Sequence, residues 1–350
     1  MKRRIVVSIL CLALLLALTA CGGKPVETIP YWKSDSPAMA SIISYVDAVT
    51  DEKSASFVPE EERIAVFDMD GTLYGELFPT YFDEWLLLYR LLHDESYQAS
   101  AEDRAWAQEA EAALLAGGPE PDSPRSSAQM AAEAFRGFTV EEYRAYVRAF
   151  MSQPVAGFEN MTYAEGFYLP MIALVEYLTE HGFTVFISSG SERLLVRELV
   201  ADPLGEWIPP YHVIGSTFSL EASGQGEQEG RKYSYAPDDQ VLLEGNLLQK
   251  NQRMNKVVTI VDEIGIPPLL VFGNSTGDLA MAQYALQHGG RAYMLLCDDT
   301  VRDYGDPETA AAFEEACHAL GIETISMRDE FETIYKTDAV KTAFQSKQAA

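Results

Sequence analysis

Two aspartates, Asp68 and Asp70, have the types and the spacing most suited to chemistry in this sequence. They directly follow residues 64–67, an unbroken apolar run that predicts a strand buried on both faces of a parallel sheet. Open α/β sheets bind their ligands at the carboxyl ends of such strands. Because one residue separates the two acids, an extended backbone directs both carboxylates to the same side. Close carboxylates repel each other, so we expect a cation between them or a proton on one.

A calcium-binding loop and a plain turn are two other interpretations of the segment that begins at Asp68. A calcium-binding EF-hand loop also begins with Asp-x-Asp, but it requires glycine at its sixth position and glutamate at its twelfth. Those positions are Leu73 and Pro79, which excludes an EF-hand. A plain turn built from Asp, Gly and Thr stays open on this segment alone.

Residues 66–72, Val-Phe-Asp-Met-Asp-Gly-Thr, resemble the first motif of the haloacid dehalogenase superfamily, most of whose members are phosphatases. The resemblance implies three further motifs in a fixed order. The second, a Ser or Thr that ends the next core strand, matches Ser189, with Ser188 as the alternative. Ser191 fits better as the cap of a helix that starts at Glu192.

The third and fourth motifs lie further along the chain. A lysine near the start of the helix before the next strand matches Lys256, with Lys250 in reserve. The acidic loop after another buried strand matches residues 269–278, with Asp278 as the acid. This loop departs from the family pattern at Asn274, where many relatives carry Asp. An amide oxygen can coordinate Mg²⁺ but adds no charge, so the departure lowers the expected metal affinity.

The resemblance also implies a role for each matched residue. Asp68 would attack phosphorus and form an aspartyl-phosphate, while Asp70 would protonate the leaving group and later deprotonate water. Lys256 and Ser189, with Gly190 beside them, would hold the phosphate oxygens.

By the same resemblance, Mg²⁺ would lie on the Asp68 carboxylate, the Asp70 backbone carbonyl and the loop that carries Asn274 and Asp278. An aspartate at position 70 points to a phosphatase or a phosphotransferase. The dehalogenases lack an aspartate there, and the ion-pumping ATPases carry threonine. The sequence leaves the choice between phosphatase and phosphotransferase open.

About a hundred residues separate the first motif from Pro170, far more than a connecting loop needs. Their pattern predicts helices over residues 78–93, 101–116 and 140–151. An insertion at this place resembles the helical cap of the superfamily branch that includes the phosphoserine phosphatases, and such caps favour small substrates. We therefore predict an α/β fold: a doubly wound, Rossmann-like parallel sheet with an inserted α-helical cap domain.

The domain boundaries follow from these patterns. The core comprises residues 59–75 and 163–340, and the cap comprises residues 76–162. A small β insertion within the core, at about residues 203–250, is expected to decorate the fold as a hairpin. Residues 341–350 are expected to form a polar tail.

An acidic and aromatic cluster follows the first motif. Glu76 precedes the first cap helix and is the member best placed to touch substrate. The aromatic residues could form a pocket for a cationic head group, as in the phosphorylcholine phosphatases, which the chain resembles. Alternatively, they form the packed face of the first cap helix, because most of them have helical spacing. These aromatic residues are Tyr74, Phe78, Tyr81, Phe82 and Trp85.

The N-terminus has the pattern of a secretory signal, in which basic residues precede an apolar stretch that is too short to span a bilayer, here residues 5–18. The Leu-Thr-Ala-Cys that follows resembles the lipobox of bacterial lipoproteins, in which the cysteine, here Cys21, is acylated and becomes the first residue. An ordinary signal peptide is the alternative. Residues 1–20 are expected to be removed, and residues 21–58 to form a tether and lead-in.

The composition of the 350 residues excludes some classes of protein. Its 26 basic and 53 acidic side chains give a formal net charge of −27, which argues against nucleic-acid binding. The 16 Phe and 18 Tyr argue against a disordered acidic chain. Cys297 and Cys317 could form a disulfide in an oxidising compartment or stay as partly buried thiols. No feature of the sequence indicates an obligate protein partner.

Together these features predict an enzyme outside the cytoplasm, anchored to the membrane by lipid, that hydrolyses a small phosphomonoester with Mg²⁺. A non-catalytic lipoprotein that binds a small ligand on the same scaffold is one alternative, motivated by Asn274 and the anchor. A phosphotransferase is the other.

Overall fold

The computed structural model describes residues 28–76 and 79–343. The predicted signal peptide (residues 1–20), the lipobox Cys21 and the first part of the predicted tether lie outside the described residues, as do Phe78 and residues 344–350. Within the described ranges, no helix combines the length and the apolar character needed to cross a membrane.

A mostly parallel sheet forms the centre of the fold. The strands are β1 (Ile64–Phe67), β2 (Phe158–Glu159), β3 (Thr184–Glu192), β4 (Val213–Ala222), β5 (Val241–Gln249), β6 (Leu270–Gly273), β7 (Arg291–Leu296), β8 (Glu323–Ser326) and β9 (Val340–Lys341). In the described part of the chain, seven of them form one sheet in the order β5-β4-β3-β1-β6-β7-β8, and β2 pairs with β9. Neighbours in the large sheet are parallel except β4 and β5. The predicted α/β fold with a parallel sheet is confirmed.

Helices cover both faces of this sheet and also fill the segment between β1 and β3. They are α1 (Pro37–Thr50), α2 (Phe82–Leu92), α3 (Ala101–Leu115), α4 (Ser127–Ala134), α5 (Val140–Met151), α6 (Leu169–Glu180), α7 (Arg193–Val200), α8 (Met254–Thr259), α9 (Leu279–Gln287), α10 (Pro307–Ala319) and α11 (Met327–Glu330). Helices α1, α6 and α7 pack on one face, and α8, α9 and α10 pack on the other. In β1, Ala65 and Phe67 face the first layer, whereas Ile64 and Val66 face the second. This burial on both faces explains the unbroken apolar run.

The order of the strands fixes where a ligand can bind. From β1 the chain continues to β3 and β4 on one side, and later returns to β6, β7 and β8 on the other. The strand order therefore reverses between β1 and β6. In doubly wound folds, a crevice opens at this reversal outside the carboxyl ends of the strands.

The cap consists of α2 to α5, inserted between β1 and β3. The three predicted cap helices are present, although the first begins at Phe82 rather than at residue 78. Helix α4 lies in a segment for which no helix is predicted, and it starts at a capping box formed by Ser126 and Gln129. The cap has an apolar cluster of its own, to which Leu87, Leu91, Ala107 and Met130 contribute.

The predicted β insertion is a hairpin, as expected, but its role in the fold differs from the expected decoration. Its strands are β4 and its antiparallel partner β5. This hairpin extends the main sheet, because β4 also pairs with β3. At its outer edge the Leu243 amide donates to the Phe138 carbonyl of the cap at 2.8 Å. The insertion therefore joins the core to the cap and is not a mere decoration.

The predicted tether also differs, because the chain is packed from Ile29 onward. Ile29 and Trp32 are 1% and 3% exposed, and the indole nitrogen of Trp32 donates to the Pro170 carbonyl at 2.9 Å. Helix α1 follows at once, with Ser36 as its N-cap and an apolar face buried in the core. Ser36 and Pro37, which lie within the predicted tether, thus begin a packed helix.

The end of the described chain and the two cysteines complete the fold. Lys341, the first residue of the predicted polar tail, belongs to β9, which pairs with β2. Cys297 and Cys317 are both free thiols, and Cys317 is fully buried. The second of the two alternatives for these cysteines, unpaired thiols, is the one found.

We expect Trp32→Ala to lower the free energy of unfolding by about 3–5 kcal/mol, because it opens a cavity in a packed core. Tyr211→Ala is the control, since that side chain is 75% exposed and its loss should change stability by less than about 0.5 kcal/mol. Urea denaturation of both variants measures the difference. Equal, small effects would mean that the segment before α1 does not pack onto the core.

Candidate active site

The residues singled out in the first and fourth motifs meet at the reversal point of the sheet. Asp68 follows β1, and the loop from Asn274 to Asp278 follows β6. The Asp68 amide donates to the Phe272 carbonyl at 2.8 Å, which fixes the end of β1 against the end of β6. The parallel pairing of these two strands therefore brings both loops to one edge of the sheet.

Asp68 and Asp70 are each only 7% exposed. Burial, together with the charge of Asp278, raises the pKa of Asp68 to about 7, although Lys256 opposes this shift. Burial, with the charges of Asp83 and Asp68, raises the pKa of Asp70 well above its ordinary value. The two carboxyl groups differ in environment, because Asp68 faces an ammonium group and Asp70 does not. This difference suits one for attack and the other for proton transfer.

Lys256 is the buried cation of the site. It is 2% exposed, and its ammonium group donates to Asp68 and, at 2.6 Å, to Asp278. Burial alone would lower its pKa, but the charges of Asp278 and Asp68 outweigh burial and raise the pKa. The ammonium group therefore stays protonated beside the carboxylate that follows β1. Lys256 is the third residue of α8, which agrees with the position near a helix start expected for the third motif.

Asp278 organises the loop after β6. One carboxylate oxygen accepts from Lys256, and the other accepts from the amides of Asn274 and Ser275, both at 3.1 Å. Both oxygens thus bind protein donors. Asp278 holds the loop and the lysine in position, whereas Asn274 has the more open side chain of the two.

The side chains of Asn274 and Glu76 form a hydrogen bond next to Gly71. The Asn274 amide nitrogen donates to a Glu76 carboxylate oxygen at 3.1 Å. A Cβ atom on Gly71 would lie 1.9 Å from that nitrogen, and the backbone φ of Gly71 is +76°. Both facts require glycine here. Burial, with the charges of Asp68 and Asp278, raises the pKa of Glu76 to about 8, although hydrogen bonds from Asn274 and Tyr81 oppose the shift.

The second motif lies in β3, the strand that pairs with β1. Ser188 and Ser189 are fully buried, and the Ser189 hydroxyl oxygen accepts from the Ser191 amide at 3.0 Å. Gly190 and Ser191 line the cavity, and the Ser191 hydroxyl donates to Asp70 at 2.9 Å. The expected capping role of Ser191 is wrong, because Glu192 caps α7 by accepting from the Leu194 and Leu195 amides. The negative charge of Glu192 is favourable at a helix N-terminus. The Ser191 hydroxyl therefore does not cap the helix and donates to Asp70 instead.

Asn251 is a site residue that sequence reasoning missed. Its side-chain nitrogen donates to the Ser188 hydroxyl and to the Ser189 carbonyl, at 3.1 and 3.0 Å. Its side-chain oxygen accepts from Thr259 of α8 at 2.8 Å. Asn251 therefore ties the second motif to the helix that carries Lys256. The polar run at residues 249–253, directly before that helix, is the signal that could have indicated it.

These residues surround one cavity of about 340 Å³ between the core and the cap. Lys250, the reserve lysine, lines its wall, as do residues from α2 and from the start of α4. From the core come Asp68, Asp70, Gly190, Ser191, Lys256, Asn274 and Asp278, and from the cap side come Tyr81, Asp83, Glu84, Ser126 and Ser127. The site is thus one cavity with the candidate catalytic residues of the core on one wall and cap residues on the other.

The aromatic residues after the first motif are expected either to form a head-group pocket or to pack in the protein interior, and they do not all have the same role. Tyr74 is fully buried, and its hydroxyl donates to the Tyr163 carbonyl. Phe82 packs edge-on against Phe150 and Tyr163. Only Tyr81 of the described members lines the cavity. Packing, rather than binding of a cationic head group, therefore accounts for Tyr74 and Phe82.

The donor chemistry of the site suits a small hard cation. Carboxylate, amide and carbonyl oxygens are available from Asp68, Asn274 and the backbone of Asp70, which are the ligand types that Mg²⁺ prefers. Among the described residues, no group of three His, Cys, Asp or Glu side chains has the geometry to hold a metal ion. A set with one or two carboxylates and neutral oxygens would not form such a group. The raised pKa values of Asp68 and Glu76 indicate a surplus of buried negative charge that a cation would neutralise.

Comparisons with known proteins agree with this arrangement. A model of the family described as haloacid dehalogenase-like hydrolase matches residues 65–283. Among solved structures, a conserved functionally unknown protein from Anaerococcus prevotii DSM 20548 has 15% identity and a TM-score of 0.51, over 85% of this chain and 94% of that chain. This likeness shows a shared fold. No curated protein matches the chain.

Two further solved structures match with lower scores. A HAD family hydrolase from Salmonella enterica subsp. enterica serovar Typhi has 15% identity and a TM-score of 0.40, over 77% of this chain and 69% of that chain. An apo phosphoserine phosphatase has 15% identity and a TM-score of 0.33, over 67% of this chain and 86% of that chain. The family model spans more than half of the chain and includes all four motifs. The chain therefore belongs to the haloacid dehalogenase-like hydrolases.

Proposed function

We propose that this chain is a Mg²⁺-dependent phosphatase that hydrolyses a small phosphomonoester through a phosphorylated Asp68. The observation that carries the proposal is the contact of Asp68 with the buried ammonium group of Lys256, beside Asp70 and in a cavity shared with the cap. Such a group of residues combines a nucleophile, a proton donor and a fixed positive charge. Phosphoryl transfer requires these three elements.

In the first step, a carboxylate oxygen of Asp68 attacks phosphorus as the bond from phosphorus to the alcohol oxygen breaks. Asp70, whose pKa is raised by burial and by the charges of Asp83 and Asp68, transfers a proton to the departing oxygen. Lys256 stabilises the negative charge on the phosphoryl oxygens. The products of this step are the free alcohol and an acyl-phosphate on Asp68.

In the second step, water attacks phosphorus and the bond between phosphorus and the Asp68 oxygen breaks. Asp70, now ionised, accepts a proton from the water, which returns both aspartates to their starting states and releases inorganic phosphate. The Ser191 hydroxyl, which donates to Asp70, holds that carboxyl group in place for both transfers.

A bound Mg²⁺ would be held by the Asp68 carboxylate, the Asp70 carbonyl and Asn274, and it would neutralise charge on the phosphoryl group. Lys256 alone cannot balance the charge of Asp68 and Asp278 together with a phosphate dianion. The cation requirement is therefore part of the proposal.

The cap wall favours a small alcohol group without extra negative charge. Asp83 and Glu84 face the cavity opposite the catalytic residues, so they would repel a second phosphate or carboxylate. Glu84 also lines a smaller apolar cavity within the cap, together with Leu88 and Trp106. This adjoining space supports a partly apolar leaving group.

We also propose that the enzyme acts outside the cytoplasm and is anchored by lipid on Cys21. The basis is the sequence pattern of residues 1–21. Two acyl chains on one cysteine give stable membrane attachment.

The function is tested by hydrolysis of p-nitrophenyl phosphate and of a panel of small alkyl phosphates by the purified protein. We expect activity with Mg²⁺, its loss in EDTA and its return when Mg²⁺ is added. Activity that EDTA leaves unchanged would reject the cation. Binding of these esters without any hydrolysis would favour the non-catalytic alternative, and transfer to an added alcohol in preference to water would favour the phosphotransferase.

Asp68→Asn gives the matched test of the nucleophile. We expect a loss of activity of about 10³-fold or more, because an amide oxygen is a poor nucleophile toward phosphorus. Asp298→Asn is the control, since Asp298 is also a buried acid after a strand but bonds Ser326 outside the cavity. Retained activity in the Asp68 variant would mean that another group attacks phosphorus.

Asp70→Asn should affect substrates according to their leaving groups. With alkyl phosphates we expect a loss of about 10²- to 10⁴-fold, because the alkoxide departs without a proton. With p-nitrophenyl phosphate the first step needs no acid, so stopped-flow measurement should show a burst of p-nitrophenolate followed by slow turnover. Equal losses on both substrates, without a burst, would remove Asp70 from proton transfer.

Cys21→Ser should move the protein expressed in a bacterial host from the membrane fraction to the soluble extracytoplasmic fraction. The reason is that serine offers no thiol for acylation. Fractionation followed by immunoblotting measures the distribution. An unchanged membrane fraction would contradict the lipid anchor and favour attachment by other means.

A further inference from the structure

The contact between Asn274 and Glu76 determines which way the Asn274 amide points. In its ionised form, which a bound cation favours, the Glu76 carboxylate can only accept hydrogen bonds, so the nitrogen end of the Asn274 amide faces it. The observed distance between these two atoms is 3.1 Å. The oxygen end of the amide then points away from Glu76. It lies 3.5 Å from the hydroxyl of Thr72, which is in the loop after β1. The orientation of the oxygen is thus a consequence of the carboxylate at position 76.

The loop after β1, which carries Asp68 and Asp70, leaves room for this contact because residue 71 is a glycine. A side chain on Gly71 would collide with both partners, since its Cβ would lie 1.9 Å from the Asn274 nitrogen and 2.6 Å from the Glu76 oxygen. Gly71 directly follows Asp70 in the chain. Tyr81, at the cavity wall, stabilises the ionised form of Glu76. The hydrogen bond that joins Glu76 to the core is the one from Asn274.

The charges at positions 76 and 274 depend on each other. An aspartate at 274 would put a second carboxylate against Glu76 at hydrogen-bond distance, where like charges repel and no donor remains between them. A neutral residue at 76 would leave Asn274 without an anionic partner, and the loop would have one negative charge fewer. The observed pair has one amide and one carboxylate, so it combines a donor, an acceptor and a single charge.

We infer that Glu76 is a positioning residue for the cation site: it orients the Asn274 oxygen toward the cation and provides, from behind the amide, the negative charge that Asn274 lacks. The inference rests on the proposed function, because it concerns the same cation. It assigns Glu76 a role through Asn274 instead of the contact with substrate that the sequence suggested. Residues that orient metal ligands in this way commonly change metal affinity by about 10- to 100-fold.

A double-mutant cycle tests the inference. The four proteins are the wild type, Glu76→Gln, Asn274→Asp and the double variant, and the measurement is Mn²⁺ affinity by isothermal titration calorimetry without substrate. Glu76→Gln keeps the size of the side chain and removes its charge. In the wild-type background we expect it to weaken Mn²⁺ binding about 10-fold or more. In the Asn274→Asp background we expect it to change affinity by less than about 3-fold or to improve it, because the charge is then on residue 274.

Controls separate this role from a structural or a general electrostatic one. Thermal unfolding without Mn²⁺ should give similar midpoints for the wild type and Glu76→Gln, since a role in folding would lower the midpoint before any cation binds. Glu84→Gln removes a carboxylate that lines the cavity and bonds Thr80 instead of Asn274, and we expect it to change Mn²⁺ affinity by less than about 3-fold.

The outcomes decide between the inference and its alternatives. An equal loss of affinity from Glu76→Gln in both backgrounds would overturn it, as would no loss in the wild-type background. A change confined to KM for phosphate esters, with Mn²⁺ affinity unaltered, would assign Glu76 to substrate instead. A wild-type protein that binds no Mn²⁺ at all, yet hydrolyses phosphate esters, would overturn the inference and the cation requirement together. Strong cation binding with additive effects would overturn the inference alone.

Discussion

A surplus of buried carboxylates around one ammonium group is the constraint on which this structure depends. Asp68 and Asp278 both bind Lys256, while Asp70 and Glu76 lie close by and form no ion pair with a Lys or Arg of the described part of the chain. Removing any of these charges from water is costly unless each is paired or protonated. The arrangement therefore persists only because the surrounding protein fixes every member by hydrogen bonds. The same unbalanced charge favours a cation and, together with burial, raises the pKa of Asp70.

The fold supplies this rigidity through the reversal of the sheet between β1 and β6. Each strand is buried on both faces, so the loops that leave their carboxyl ends start from fixed positions. Helix α8 lies between the hairpin β4–β5 and β6 in the chain, and it directs Lys256 to the same edge. Asn251 bonds both the second motif and α8, which joins the two halves of the site. The core residues that line the cavity are thus positioned by strands and by a helix. The cap residues that line it lie at the starts of helices and in the loops before them.

Two parts of the chain that looked peripheral contribute to the core of the molecule. The segment before α1 is packed through Trp32, which bonds α6 and lies edge-on against Phe331. The hairpin β4–β5 extends the main sheet and bonds the cap through Leu243. Both were underestimated for the same reason: Pro, Ser and Gly mark breaks in a pattern, but they do not reveal whether the neighbouring apolar residues find partners elsewhere in the chain.

The sequence by itself determined the α/β class and the place of Asp68 and Asp70 after a buried strand, because strand burial and helix period are local patterns that can be read from residue order. The order of the motifs, and with it the choice of Lys256, followed from the resemblance to the haloacid dehalogenase superfamily. The helical cap was also evident from its length and period. Only the tertiary structure decided that Ser191 bonds Asp70, that Glu192 caps α7, and that Glu76 faces Asn274. The first and last of these contacts join residues 121 and 198 positions apart. Such contacts depend on the directions of side chains across the folded sheet and on shared burial, which no local pattern records.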